Sequence, residues 1–320
     1  MTGNTDDFIV FSGTANLPLA EKVAQYLGKP LGKIDIRHFP DGETFCQIEE
    51  SVRGRDVFVI QPTSPSPNEA LMELFVIMDA ARRGSAARIT AVLPYYGYAR
   101  QDRKDKPRVP ITAKLVANLL QTAGADRVLT MDLHANQIQG FFDIPVDHLH
   151  AEPVILRYIR ELNAEKPIVV SPDTGGAKTA YGYSRKLGTG LAIVAKQRLG
   201  DADVDAFSVV GDVYGCDVLM IDDMTATGGT LSAAAKILRQ HGAKSVRAFV
   251  SHFPLTEKGM ERLAGESQLT ELVVTDTILL RPDFDISKLP FKLTVLTVSE
   301  VLGEAIRRIH ENRSVNSLFW

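Results

Sequence analysis

The residues best equipped for chemistry stand together as Asp222-Asp223-Met224-Thr225-Ala226-Thr227-Gly228-Gly229-Thr230. Two adjacent carboxylates can accept hydrogen bonds from vicinal hydroxyls of a sugar, or lean on a bound cation. The turn after them is rich in glycine and hydroxyls and holds no Lys or Arg. It suits an anion bound by backbone N–H groups and threonine hydroxyls. An isolated glycine turn is more often a plain strand-to-helix connection. The acid pair beside Thr227-Gly228-Gly229-Thr230 is what points to a sugar-phosphate receptor, hydroxyls on Asp222 and Asp223 and phosphate on 226–230.

Such a receptor needs a strand before it and a helix after it. Residues 218–221 are all apolar and predict a strand buried on both faces; a helix is predicted from near Leu231 to about Gln240, with Gly242 ending it. Open α/β sheets bind ligands at that end of a strand. Other predicted strands end in chemistry-bearing segments too. The strand 89–93 runs into Pro94-Tyr95-Tyr96-Gly97-Tyr98-Ala99-Arg100-Gln101-Asp102-Arg103-Lys104. Its tyrosines and cations could stack a base and neutralise phosphates, or form a solvated charged loop. The strand 128–131 runs into Asp132-Leu133-His134, and the strand 168–170 into a glycine turn with Asp173 that is not a Walker A loop. The strand 191–195 runs into Lys196-Gln197-Arg198, followed by a Gly- and Asp-rich segment, 199–206, read as a mobile loop. A histidine just past a strand is by itself more often structural. His148 and His150 have no completing ligand nearby in sequence and read as structural.

Pro40 and Asp41-Gly42 predict a hairpin over 37–44, by itself a surface turn. Further strands are predicted at 8–11, 57–61, 245–250, 272–275 and 293–297. Helices are predicted from Asn16 to Gly28, over 68–83, after 107–112 to about Gly124, from Glu152 to about Asn163, and over 299–309. Two βαβ series stand in tandem, each with a strand running into an acid, Met131-Asp132 and Ile221-Asp222, a weak internal repeat within the α/β class.

The totals narrow the function. A chain of 320 residues favours two domains. With 36 basic against 39 acidic residues the net charge is −3, no electrostatic case for nucleic acid or an anionic membrane. Two cysteines, Cys46 and Cys216, make neither a disulfide framework nor a zinc site. No secretory signal is visible and no apolar run reaches transmembrane length, so the expected compartment is the cytosol.

The turn at 226–230 resembles the phosphoribosyl-diphosphate loop of type I phosphoribosyltransferases and ribose-phosphate diphosphokinases. Segments 89–103, 110–120 and 129–145 extend the resemblance to the second family, the PRPP synthetases, over nearly the whole chain. It implies two tandem phosphoribosyltransferase-like domains, doubly wound around mainly parallel sheets. They are expected at 1–149 on the ATP side and 150–304 on the ribose 5-phosphate side, with the tail from about 305 to 320 packing back on the first. The implied reaction moves the β,γ-diphosphoryl group of ATP to the 1-hydroxyl of ribose 5-phosphate, giving PRPP and AMP, with Mg²⁺ as cofactor. The resemblance assigns Phe39, Asp41, Gly42, Glu43, Arg100 and Gln101 to ATP, and His134 and Asp173 to magnesium. It assigns Lys196 and Arg198 to catalysis, and Asp222, Asp223, Ala226, Thr227, Gly228, Gly229 and Thr230 to ribose 5-phosphate. It also implies a homo-oligomer of a hexamer-of-dimers type.

Some positions depart from the family pattern. Ala226 stands where the family usually has Asp, Gln197 interrupts Lys-Arg-Arg, Thr179 replaces a common Arg, and 255–259 differs from Leu-Ser-Gly-Pro. Arg53, Ser85 and the tail around Ser314 match part of the family's phosphate and ADP regulatory site, and Asn316 departs from the tail pattern. Two rival functions share these motifs. A phosphoribosyltransferase would leave 41–43 and Arg100-Gln101 without a role; a silent regulatory homologue would not need Lys196, Arg198, His134 and Asp173.

Overall fold

The computed structural model describes residues 8–198, 205–266, 268–281 and 284–319. By internal contacts the chain divides into two units: 1–151 with 277–279 and 297–320, and 152–276 with 280–296.

The first unit begins with β1 (Phe8–Ser12), buried along its length, and α1 (Leu17–Leu27). The Asn16 side chain accepts from Leu19 N–H to start α1, and Gly28 at φ +70° ends it. Then come β2 (Ile34–His38), β3 (Thr44–Ile48), β4 (Asp56–Ile60), α2 (Pro67–Arg83), β5 (Arg88–Leu93), α3 (Thr112–Ala123), β6 (Arg127–Met131) and β7 (Val146–Leu149). Parallel strands in the order β1-β4-β5-β6-β7 make a sheet, and β2 and β3 form a separate antiparallel hairpin. Strand alternation sorts the core. Ile9, Phe11, Val57, Val59, Ile89 and Ala91 pack with Leu74, Met78, Ala113 and Leu120 of α2 and α3. On the opposite face Phe8 meets Phe58 edge-on at 5.9 Å.

The second unit contains α4 (Glu152–Glu161), β8 (Pro167–Ser171), α5 (Ala177–Leu187), β9 (Gly190–Arg198), β10 (Asp205–Val210) and β11 (Asp217–Met224). It continues with α6 (Gly229–Gln240), β12 (Ser245–His252), α7 (Glu257–Glu266), β13 (Glu271–Thr275) and β14 (Lys292–Leu296). The sheet order is β10-β9-β8-β11-β12-β13-β14, parallel except for β10 against β9. The parallel order reverses between β8 and β11, which is where an open α/β sheet leaves a crevice at its carboxyl ends.

The last helix, α8 (Ser299–His310), belongs to the first unit, whereas the expected division placed 299–304 in the second domain. It packs on α1 through Gly303, where a Cβ would stand 2.4 Å from the Tyr26 ring, and through Tyr26 Oη, which donates to Glu304 at 3.2 Å. β11 also differs from expectation: it runs on to Met224, so Asp222 and Asp223 lie within the strand, and α6 begins at Gly229, not near Leu231. Register explains the first difference, since Asp222 pairs with Val250 and Met224 with His252.

Candidate active site

In the second unit the loops after β8 and β11 lie on either side of the strand-order reversal. Gly176, in the first of these loops, lies against the strands, for a Cβ there would stand 4.0 Å from Ile221 O of β11 and 2.8 Å from Ser171 Oγ of β8. Asp173 is exposed in the first loop and accepts from Gly176 N–H at 3.0 Å. Asp222 and Asp223 are half-buried at the end of β11, each accepting from the next backbone N–H, at 2.9 and 2.8 Å. Burial, then the neighbouring charge of Asp223 and, further off, that of Asp173, push the Asp222 carboxyl up to about 8.

The glycine turn follows. Thr225 N–H donates to His252 O at 3.2 Å, which ends the ladder, and Gly228 at φ +66° turns the chain into α6. Among the described residues the backbone N–H groups of Ala226, Thr227 and Gly228 have no acceptor. They stand just ahead of the helix N-terminus, where backbone donors and the helix dipole favour an anion. Thr227 and Thr230 are exposed there.

The backbone of Lys196 and Arg198 forms the end of β9, paired with Phe207 and Asp205 of β10; their side chains lie outside the described residues. Of the segment expected as a mobile loop, 199–204 also lie outside them, and Asp205 and Ala206 open β10.

In the first unit, Phe39, Asp41, Gly42 and Glu43 sit at the exposed tip of the β2–β3 hairpin. Gly42 at φ +93° makes the turn, and Asp41 accepts from Glu43 N–H at 3.2 Å. Phe39, 47% exposed, meets Phe45 edge-on and leaves much of its ring open. Arg100 and Gln101 are exposed beyond β5, where Gln101 Oε1 accepts from Thr112 Oγ1 at 2.6 Å. The tyrosines before them do not form an open stacking surface. Tyr95 and Tyr96 are buried, and Tyr96 donates to Ala113 O at 2.9 Å.

His134 is exposed past β6. The turn before it is tightly tied. Asp132, at φ +39°, lies 2.8 Å from His150 Nδ1 and accepts from Ala151 N–H at 3.0 Å; His148 Nε2 accepts from Leu133 N–H at 2.9 Å. Ligand atoms of Asp132, His148 and His150 all lie within 4.8 Å of one another. Sequence reasoning found no third partner for the two histidines because β6–β7 pairing supplies it, Thr130 standing beside His148 and Met131 beside Leu149. With its Nε2 lone pair already used, His148 reads as part of the hydrogen-bonded support of this turn.

Fold and loops together define a class: α/β proteins of two mainly parallel units, with acid and glycine loops at a point of strand reversal. Comparison with known proteins narrows the class. The family model for the N-terminal domain of ribose phosphate pyrophosphokinase matches residues 8–124, and the phosphoribosyl synthetase-associated domain matches 201–320. A ribose-phosphate pyrophosphokinase from Gloeobacter violaceus is 50% identical over 97% of this chain and 92% of its own. One from Brucella melitensis is 52% identical over 97% of this chain and 99% of its own. The crystal structure of phosphoribosylpyrophosphate synthetase from Mycobacterium smegmatis matches with a TM-score of 0.89 at 44% identity, covering 96% of this chain and all of that one. This chain belongs to the ribose-phosphate pyrophosphokinase family.

Proposed function

We propose that this chain transfers the β,γ-diphosphoryl group of ATP to the 1-hydroxyl of ribose 5-phosphate, releasing AMP and PRPP. The observation that carries the reading is the turn 226–230, whose first three backbone N–H groups lack acceptors among the described residues, directly after a carboxylate pair. A phosphate fits the turn, and the hydroxyls of its ribose fit Asp222 and Asp223.

In this reading the first unit takes ATP. Phe39 offers an open ring to the adenine, the tip 41–43 contributes backbone and carboxylate groups, and Arg100 and Gln101 reach the nucleotide. The second unit holds the sugar phosphate and fixes its 1-hydroxyl for attack. Lys196 and Arg198 neutralise the charge that develops as the bond between the α- and β-phosphates breaks.

The donors present fit a hard divalent ion. Asp173 is an exposed carboxylate whose charge is felt at Asp222, and magnesium favours such oxygens. His134 offers nitrogen, so of the expected pair Asp173 is the better inner ligand. Bound Mg²⁺ would supply charge neutralisation on the transferred phosphates. Among the described residues no helix is long and apolar enough to cross a membrane; we place the chain in the cytosol as a homo-oligomer.

Lys196→Ala tests the catalytic assignment. The expected result is a fall in kcat of about a hundredfold or more with the KM values within a few-fold. A variant with normal kcat removes Lys196 from the reaction.

A further inference from the structure

The glycine turn is held from outside by the start of α7. The Ala226 carbonyl accepts two hydrogen bonds from one residue, Thr256, from its backbone N–H at 3.0 Å and from its hydroxyl at 3.2 Å. The same hydroxyl accepts from Gly259 N–H at 3.1 Å, the bond by which a threonine caps a helix. One side chain therefore both starts α7 and clamps the turn.

The two backbones meet with no room for side chains. A Cβ on Gly259 would stand 2.6 Å from Ala226 O and 3.0 Å from Thr227 Cα; one on Gly228 would stand 2.6 Å from Leu263 Cγ and 3.2 Å from Gly259 O. Ala226 has no polar side chain with which to anchor the turn itself. The orientation of the 226–227 peptide therefore depends on what its carbonyl binds.

A trans peptide directs its C=O and N–H to opposite sides. With the Ala226 oxygen drawn toward α7, the N–H of Thr227 faces away from α7. If the peptide turned over, the carbonyl oxygen would replace a donor in the anion cradle, and a dipole that attracts phosphate would repel it.

We propose that Thr256 is a positioning residue for the sugar phosphate: it fixes the 226–227 peptide so that the Thr227 N–H points at the 5-phosphate. The proposal rests on the assignment of 226–230 to that phosphate. Thr256 touches no reacting atom and acts through Ala226.

The test compares steady-state kinetics of the full chain with Thr256→Val and Thr256→Ser. Valine keeps the shape and the backbone bond but loses the hydroxyl; serine keeps the hydroxyl. Thr256→Val is expected to raise the KM for ribose 5-phosphate about tenfold, leave the KM for ATP within about twofold, and lower kcat far less than it raises that KM. Thr256→Ser is expected to restore the KM to within about twofold of the parent. An unchanged ribose 5-phosphate KM in Thr256→Val, an equal rise for both substrates, or a serine variant as impaired as the valine one overturns the proposal. Should Thr256→Val fail to fold, Gly259→Ala, which wedges a methyl against the same carbonyl, carries the same expectation. Thr227→Asp separates this proposal from the reading beneath it. A carboxylate there raises the ribose 5-phosphate KM if the turn holds the phosphate, whatever Thr256 does. If Thr227→Asp leaves that KM unchanged, the phosphate assignment itself fails, and the role of Thr256 with it.

Discussion

Asp222 stands where the folding of the strand and the needs of the site conflict. Burial beside Asp223 and Asp173 raises its carboxyl from 3.8 to about 8, so the folded protein keeps a proton that the unfolded chain releases near pH 4. A carboxyl raised on folding contributes its stability in full below the unfolded value, loses it as pH rises, and levels off above the folded value. Stability is therefore expected to fall between about pH 4 and pH 8 through this group. Asp222→Asn cannot ionise, and its urea midpoint should change less over that range than the parent's; equal slopes would show that Asp222 is already ionised in the folded chain. Glu73 is fixed by hydrogen bonds. Though buried, it accepts from Thr14 N–H at 2.7 Å, Thr14 Oγ1 at 2.8 Å and Gln61 Nε2 at 2.6 Å. Glu73→Ala should cost about 2 kcal/mol by urea unfolding, because it strands the buried Gln61 amide along with the part-buried Thr14 donors; a loss under 1 kcal/mol would mean that water replaces the carboxylate. Asp222 was legible in the sequence by its type and place. Glu73 was not, because its partners stand 59 and 12 positions away and are brought to it only by folding.

At the level of elements, what the sequence displayed depended on burial. Strands such as β4 and β11 carry continuous apolar runs and were readable. β10 was not: it pairs at an edge of its sheet, and its Val210 is 61% exposed, so no two-sided burial marks it. α7 was also missed, since Met260 and Leu263 are the only large apolar side chains in its sequence, yet it buttresses the glycine turn. Of the two readings open for the tyrosines near Arg100, base stacking is not available to Tyr95 and Tyr96, whose rings are buried in the core. The end of α8 is tied down by a part-buried ion cluster. Asp56 accepts from Arg88 Nε at 3.0 Å and lies 2.9 Å from His310 Nδ1, while Arg88 Nη2 donates to Ile309 O at 3.0 Å. Arg88→Met should destabilise the chain by about 3 kcal/mol, and adding Asp56→Leu should recover most of it, because the cost lies in the carboxylate left behind. A double variant no more stable than the single one would place the cost in lost packing of α8.

For the whole molecule, we propose that each unit supplies one half of a reaction. The first presents an open aromatic hairpin tip and an Arg-Gln pair suited to a nucleotide; the second presents acids and backbone donors that have no acceptor among the described residues, suited to a sugar phosphate. Membership of the ribose-phosphate pyrophosphokinase family agrees with diphosphoryl transfer between two such ligands. The most direct test follows the phosphorus atoms. The full chain is incubated with Mg-ATP and ribose 5-phosphate and the mixture is read by phosphorus NMR. The account predicts equal loss of the β and γ signals of ATP, growth of a diphosphate attached to carbon 1 of the ribose, and AMP as the only nucleotide product. ADP as the nucleotide product, or consumption of ATP with no ribose-linked diphosphate, would contradict it.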